Sequence, residues 1–122
     1  MRTVAVTTAL QLTEEDLRAF VEERGGVWRE DFGVHQGMMA RDGGEILVSL
    51  ETDTFDAFDE HDMASEQLRV GFLPRALVVI GVIRSADPRL DHAAVVLGRE
   101  VARQVAQQWG GHIDWEDLSG CP

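Results

Sequence analysis

The chain has no lysine, no asparagine and no tyrosine, and it has one cysteine among its 122 residues. With Cys121 alone, no intramolecular disulfide can form, which fits a protein of the reducing cytoplasm. All 11 basic residues are arginine. Since the missing residue types have AT-rich codons, this composition indicates a GC-rich bacterial gene.

Long apolar segments are also absent. The longest nearly continuous apolar run, Ala76 to Ile83, is too short to cross a membrane. Residues 1–10 lack the apolar core and the small-residue cleavage site of a signal peptide. We therefore expect a soluble protein that stays in the cytoplasm.

Basic charge is scarce relative to acidic charge, because 22 acidic residues against 11 basic ones give a formal net charge of −11. Nucleic acids and anionic membranes are bound through basic surfaces, so neither is expected as a partner. The field around such a chain attracts a basic protein or a cation. Acidic charge also keeps proteins soluble, and this simpler interpretation stays open.

Known catalytic motifs are missing as well. The chain has no His-Glu-x-x-His or Cys-x-x-Cys zinc motif, no Gly-x-Ser-x-Gly turn and no Gly-x-x-x-x-Gly-Lys phosphate loop. Cys121 lies next to the chain end, where a catalytic nucleophile is not expected. We therefore predict a protein that is not an enzyme and has no catalytic residue, no cofactor and no metal site.

Two helices have clear start and stop signals. The first begins after Thr13, an N-cap residue with Asp16 at the third helical position, and ends at Gly25-Gly26. The second begins at Asp87-Pro88 and ends at Gly110-Gly111. Both carry apolar residues at helical spacing, which predicts that each packs along one face.

Runs of apolar and β-branched residues predict strands over residues 2–9, 27–32, 37–41, 45–50, 76–83 and 112–115. Asp42-Gly43 is a strong hairpin signal, whereas residues 53–72 suggest a loop and a short helix. The expected fold is a single α+β domain of residues 1–122, with about five or six mostly antiparallel strands and two main helices on one face. A mixed sheet is the alternative if the strands that flank the last helix are parallel.

The strongest local anomaly is residues 51–66, ETDTFDAFDEHDMASE, which we call the acidic segment. It holds seven acidic residues and no basic one, with aromatic residues between them. Three interpretations compete: a solvated loop, a metal site, and a surface that binds a basic protein. The calcium spacing of an EF-hand fails because Phe55 and Ala57 occupy ligand positions.

The protein-binding interpretation predicts carboxylates that steer a basic partner and an aromatic side chain that supplies contact area. Acidic inhibitors of basic nucleases bind in this way, with carboxylates in the place of substrate phosphates. Trp115, which acidic residues flank, adds a second patch of the kind found at binding hot spots. The predicted partner-binding residues are Glu51, Asp53, Asp56, Phe58, Asp59, Glu60, Asp62 and Trp115.

An enzyme is an alternative from a different class. His61 and His92 each have neighbouring carboxylates that can supply general acid–base groups. Side chains adjacent in sequence usually point in different directions, so surface histidines are the simpler interpretation. The enzyme alternative predicts a closed pocket that converges on one of these histidines.

The C-terminal half, GFLPRALVVIGVIRSADPRLDHAAVVLGREVARQVAQQWGGHIDW, combines Gly-x-x-Pro, an apolar strand, a turn with Asp-His, a long helix and Gly-Gly. It resembles small acidic α+β proteins of bacteria, especially actinobacteria, among them immunity proteins of polymorphic toxin systems. The resemblance implies an intracellular inhibitor that binds and neutralises a toxin enzyme, and it transfers no catalytic residue. A non-enzymatic structural domain, monomeric or homodimeric through a sheet edge, is the other alternative.

Overall fold

A computed structural model describes residues 2–51 and 53–114. Within these residues the chain forms six strands and three helices. Their bounds are β1 Arg2–Thr8, α1 Glu14–Glu23, β2 Val27–Asp31, β3 Val34–Arg41, β4 Gly44–Glu51, α2 Glu60–Val70, β5 Ala76–Val82, α3 Pro88–Trp109 and β6 Gly111–Asp114.

The strands form one sheet in the order β2-β3-β4-β5-β1-β6, and every pair of neighbours is antiparallel. The α+β class is therefore confirmed. β5 and β6 run in the same direction, but β1 lies between them, so that Val6 pairs with Val78 on one side and with Ile113 on the other. No mixed sheet forms among the described strands, because the two strands that flank α3 are not neighbours.

The core lies between one face of the sheet and the helices α1 and α3. Alternate residues of the central strands are buried, as in Val4 and Val6 of β1 and Val78 and Ile80 of β5. These residues and the apolar faces of both helices form one hydrophobic cluster. The prediction that two main helices pack on one face is confirmed, since the central strands each have a buried apolar side and both helices an apolar stripe.

The helix signals in the sequence are confirmed. The side chain of Thr13 accepts a hydrogen bond from the backbone N–H of Asp16, and the Asp16 carboxylate accepts one from the N–H of Thr13. Asp87 caps α3, Pro88 occupies its first turn, and Gly110 ends it in a left-handed conformation. The caps therefore satisfy backbone groups that the helix itself leaves unpaired, and Pro88 has no N–H that needs a partner.

Two tight turns shape the sheet, and only one of them follows from the sequence signals. Asp42 and Gly43 connect β3 to β4 with φ angles of 53° and 83°, which confirms the expected hairpin. Phe32 and Gly33 connect β2 to β3 with φ angles of 54° and 72°. The prediction of a strand through Phe32 is therefore wrong, and β3 begins at Val34 rather than at residue 37.

The other strand bounds differ by one residue. β1 and β5 end one residue earlier than predicted, β4 is longer by one residue at each end, and β6 begins at Gly111. Trp115, the predicted end of the last strand, lies outside the described residues. The loop and short helix expected over residues 53–72 are present as a turn and α2.

Asp91 connects the start of β1 to the start of α3. Its carboxylate accepts a hydrogen bond from the Arg2 guanidinium at 2.5 Å and one from the backbone N–H of Ser85 at 3.2 Å. The hydrogen bond from Arg2, followed by that from Ser85, lowers the pKa of Asp91 below its usual value. Asp91 lies in the first turn of α3, where negative charge complements the helix dipole, and it also forms this tertiary ion pair.

Asp91→Asn is expected to lower the free energy of unfolding at neutral pH. Because the folded-state pKa lies below the unfolded one, the ionised carboxylate stabilises the fold above the unfolded pKa. This contribution is lost as the pH falls through the folded-state pKa. Urea unfolding at neutral and strongly acidic pH should therefore show a gap between wild type and variant that closes in acid. A gap that stays constant contradicts the role of the ionised form.

Candidate protein-binding surface

One end of the sheet collects most of the acidic segment and further acidic residues. Glu51 pairs with Leu77 and Leu77 with Thr7, so β4 and β1 end where β5 begins. The β2–β3 turn and the start of α1 lie at this end too. We call it the acidic end, and its described acidic residues are Glu14, Glu15, Asp16, Asp31, Glu51, Asp53, Asp56, Asp59, Glu60 and Asp62.

The first part of the acidic segment is a turn between β4 and α2. Asp53 and Asp56 are exposed there, as is Glu51 at the end of β4. Phe55 and Phe58 pack edge to face, with ring centroids 5.4 Å apart, and both are half-buried. Phe58 is a predicted partner contact, but one side of its ring is covered by Phe55.

Three of the predicted residues have structural roles at the start of α2. The Asp59 carboxylate caps the helix by accepting a hydrogen bond from the backbone N–H of Asp62 at 2.7 Å. Glu60 and Asp62 lie in the first turn, where negative charge complements the helix dipole. All three residues are exposed, so their carboxylates stabilise the helix and stay accessible to a partner.

α2 is a capped helix of 11 residues, and none of them is buried. Leu68 is 86% exposed, and only one side of the helix is half-buried. Arg69 pairs with Glu66 at 2.5 Å and lies 3.9 Å from Asp114 of β6. Short helices are marginal in water unless an apolar face packs against the rest of the protein. α2 therefore has less tertiary packing than a stable helix of this length normally has.

The outward side of α2 carries a shallow, partly apolar depression. Ala64, Gln67, Leu68 and Gly71 line an open depression of about 520 Å³. Exposed leucine side chains are common when isolated, but here Leu68 lines a shallow depression on a helix whose first turn carries Glu60 and Asp62. The arrangement combines steering charge with an apolar contact, which is the combination that protein interfaces use.

The β2–β3 turn adds an aromatic residue that the sequence-based prediction missed. Phe32 is 99% exposed, and its φ of 54° lies in the left-handed region that bulky residues rarely adopt. The residue after it, Gly33, was the available signal, because glycine marks turns of positive φ. Interpreting Phe32 as the last residue of a strand concealed this exposed aromatic at the acidic end.

The histidines of the enzyme alternative lie on the surface. His61 and His92 are both exposed, and neither lines any of four clefts in the described part of the chain. A cleft of about 320 Å³ lies between the end of α1, β3 and α3, and polar side chains on its opposite sides bond to each other. Arg24 donates to Gln104 at 2.8 Å, and Arg41 pairs with Glu100. The enzyme alternative stays a prediction without a pocket on either histidine.

Two predicted features lie outside the described residues, namely Trp115 as a contact residue and Cys121. Among the described helices, none has the length and apolarity needed to span a bilayer. The sequence matches no protein-family model, and no curated protein or solved structure matches it either. Function must therefore be inferred from the residues of the chain itself.

Proposed function

We propose that this protein is a cytoplasmic, non-enzymatic inhibitor that binds a basic protein through its acidic end. The observation that carries the proposal is α2, a capped helix with no buried residue, an exposed leucine near its end and carboxylates at its start. Contact with a partner supplies the packing that α2 lacks. The further step, that this partner is a toxin enzyme, is what a resemblance of the C-terminal half to immunity proteins implies, and it is part of the proposal.

Charge supports a basic partner over a second copy of the chain. In a two-fold dimer through the acidic end, the carboxylates of one chain would face those of the other, and like charges at an interface are costly. A basic surface meets the same carboxylates favourably, and the net charge of −11 steers it from a distance. Light scattering separates the two cases, since the proposal expects no dimer through this surface.

Neutralising three acidic residues of the acidic end is expected to slow association with the partner about 10-fold and to flatten its salt dependence. The variant is Asp56→Asn, Glu60→Gln and Asp62→Asn, which leaves the Asp59 cap intact. Its matched control removes equal charge elsewhere through Glu23→Gln, Asp42→Asn and Glu45→Gln. Stopped-flow kinetics with the purified partner, at several salt concentrations, measure the association rates of the variant and the control.

The partner is identified by photocrosslinking in the native cells. A photoreactive amino acid replaces Leu68 of α2 or, as the control, Val96 of α3. Both side chains are exposed, but only Leu68 belongs to the proposed surface. The proposal expects one basic protein crosslinked from position 68 alone, whose activity the purified chain inhibits stoichiometrically. Equal slowing by both charge variants, or a captured protein whose activity is unaffected, contradicts it.

A further inference from the structure

We propose that Glu14, Glu30 and His35 form a surface site for a divalent transition-metal ion, with Zn²⁺ as the reference ion. One ligand atom from each residue lies within 4.8 Å of the others, so one ion can contact all three. The residues come from three elements, α1, β2 and β3, and are distant in sequence. The argument for this site does not use the inhibitor proposal, although Glu14 also belongs to the acidic end.

The fold brings the three side chains together through a close contact between α1 and β3. A Cβ atom on Gly37 would lie 2.8 Å from Val21 Cγ2, so the glycine allows α1 to lie directly on β3. His35, two residues before Gly37, points to the same face of the sheet. Glu14 reaches it from the first turn of α1, with 2.5 Å between Glu14 Oε1 and His35 Nδ1.

β2 supplies the third ligand in a prepared orientation. Glu30 pairs directly with His35 across the β2–β3 ladder. The Trp28 indole N–H donates to Glu30 Oε1 at 3.1 Å, which holds the carboxylate. Such a hydrogen bond from outside the ligand set is what orients carboxylates in metal sites.

The donor set selects the kind of ion. One imidazole nitrogen with two carboxylate oxygens suits Zn²⁺ and related ions, whereas Ca²⁺ and Mg²⁺ prefer oxygen ligands alone. Three protein ligands leave a fourth position for water. Glu14 Oε1 and His35 Nδ1 need to separate from 2.5 Å to about 3.3 Å, the spacing of two ligands on a tetrahedral Zn²⁺.

Among the described residues that line this cleft, Arg18 is the arginine that can compete with a metal ion, and Glu15 lies at the same edge. Its guanidinium is 3.6 Å from Glu30 but donates to Glu22 at 2.6 Å. Arg18 therefore keeps an ion-pair partner when an ion takes Glu30. The side chains of Glu14 and His35 are about half exposed, so the ion enters without opening the fold.

Isothermal titration of the tag-free protein with ZnCl₂ tests the site. We expect one ion per chain, and we expect His35→Ala to weaken binding about 100-fold, since even residues that only support ligands cost 10- to 100-fold. His61→Ala removes another exposed histidine, on α2, and serves as the control. Glu30→Gln, which keeps the shape and removes the charge, should also weaken binding.

A spectroscopic signal locates the ion independently of affinity. Trp28 contacts the proposed ligand Glu30, so Cu²⁺ bound there should quench its fluorescence, and Trp28→Phe should remove the quenching. Binding that His35→Ala leaves unchanged, binding that His61→Ala abolishes, or the absence of any binding overturns the proposal. Quenching that persists in Trp28→Phe overturns it as well.

Discussion

Gly44→Ala should be strongly destabilising although it adds only one methyl group, with a loss of about 3 kcal/mol or more in the free energy of unfolding. The added methyl group would lie 2.2 Å from the backbone nitrogen of Ala94 and 2.5 Å from the carbonyl carbon of Ala93. Both atoms belong to the backbone of α3, which cannot rotate away as a side chain can. Urea unfolding followed by circular dichroism measures the loss.

α3 has little freedom to retreat from this methyl group. Gly98 brings the same helix against the sheet, since a Cβ there would lie 2.9 Å from Val82 Cγ2. The Asp91–Arg2 ion pair fixes its first turn. Shifting α3 therefore breaks contacts along its whole apolar face.

Gly71→Ala is the matched control for backbone strain. Gly71 has a φ of 86° and nothing within 4 Å of the position that a methyl group would occupy, so alanine costs only the left-handed conformation, about 1 kcal/mol. Gly44 has no such φ, so its effect comes from the close contact alone. Equal losses from the two variants would show that the approach of α3 to β4 is looser than the structure has it.

The contrast between Gly43 and Gly44 illustrates what local sequence can predict. Asp42-Gly43 is a hairpin signal, because both residues accept positive φ whatever surrounds them. The requirement for glycine at 44 arises from α3, which lies far away along the chain, and no local pattern carries it. The turn at Phe32 lies between these two cases, because Gly33 is a local turn signal but the bulky residue before it gives none.

The two candidate sites also have some features that local sequence predicts and others that depend on the tertiary structure. Charge and composition single out the acidic segment, and the Asp59 cap could be inferred from residue type. That α2 buries no residue depends on where its neighbours lie, and so could not be predicted. Likewise, His35 meets Glu14 only through the strand register and the contact at Gly37.

Leu68→Ala is expected to weaken partner binding about 30-fold and to leave the free energy of unfolding within about 0.5 kcal/mol of wild type. Burying a leucine side chain contributes roughly 2 kcal/mol, and Leu68 is 86% exposed until a partner covers it. Alanine keeps the helix propensity and the charge of α2, so neither confounds the measurement. Calorimetric titration and urea unfolding give the two quantities.

Two further variants separate binding from folding. Phe20→Ala removes a buried ring whose centroid lies 5.5 Å from that of Trp109. It should lower the free energy of unfolding by about 3 to 5 kcal/mol. Val96→Ala shortens an exposed side chain on α3, away from the proposed surface, and should change neither quantity. If Leu68→Ala binds as tightly as Val96→Ala, the outward side of α2 is not the contact. If it instead loses stability as Phe20→Ala does, α2 belongs to the core and its exposed leucine needs no partner.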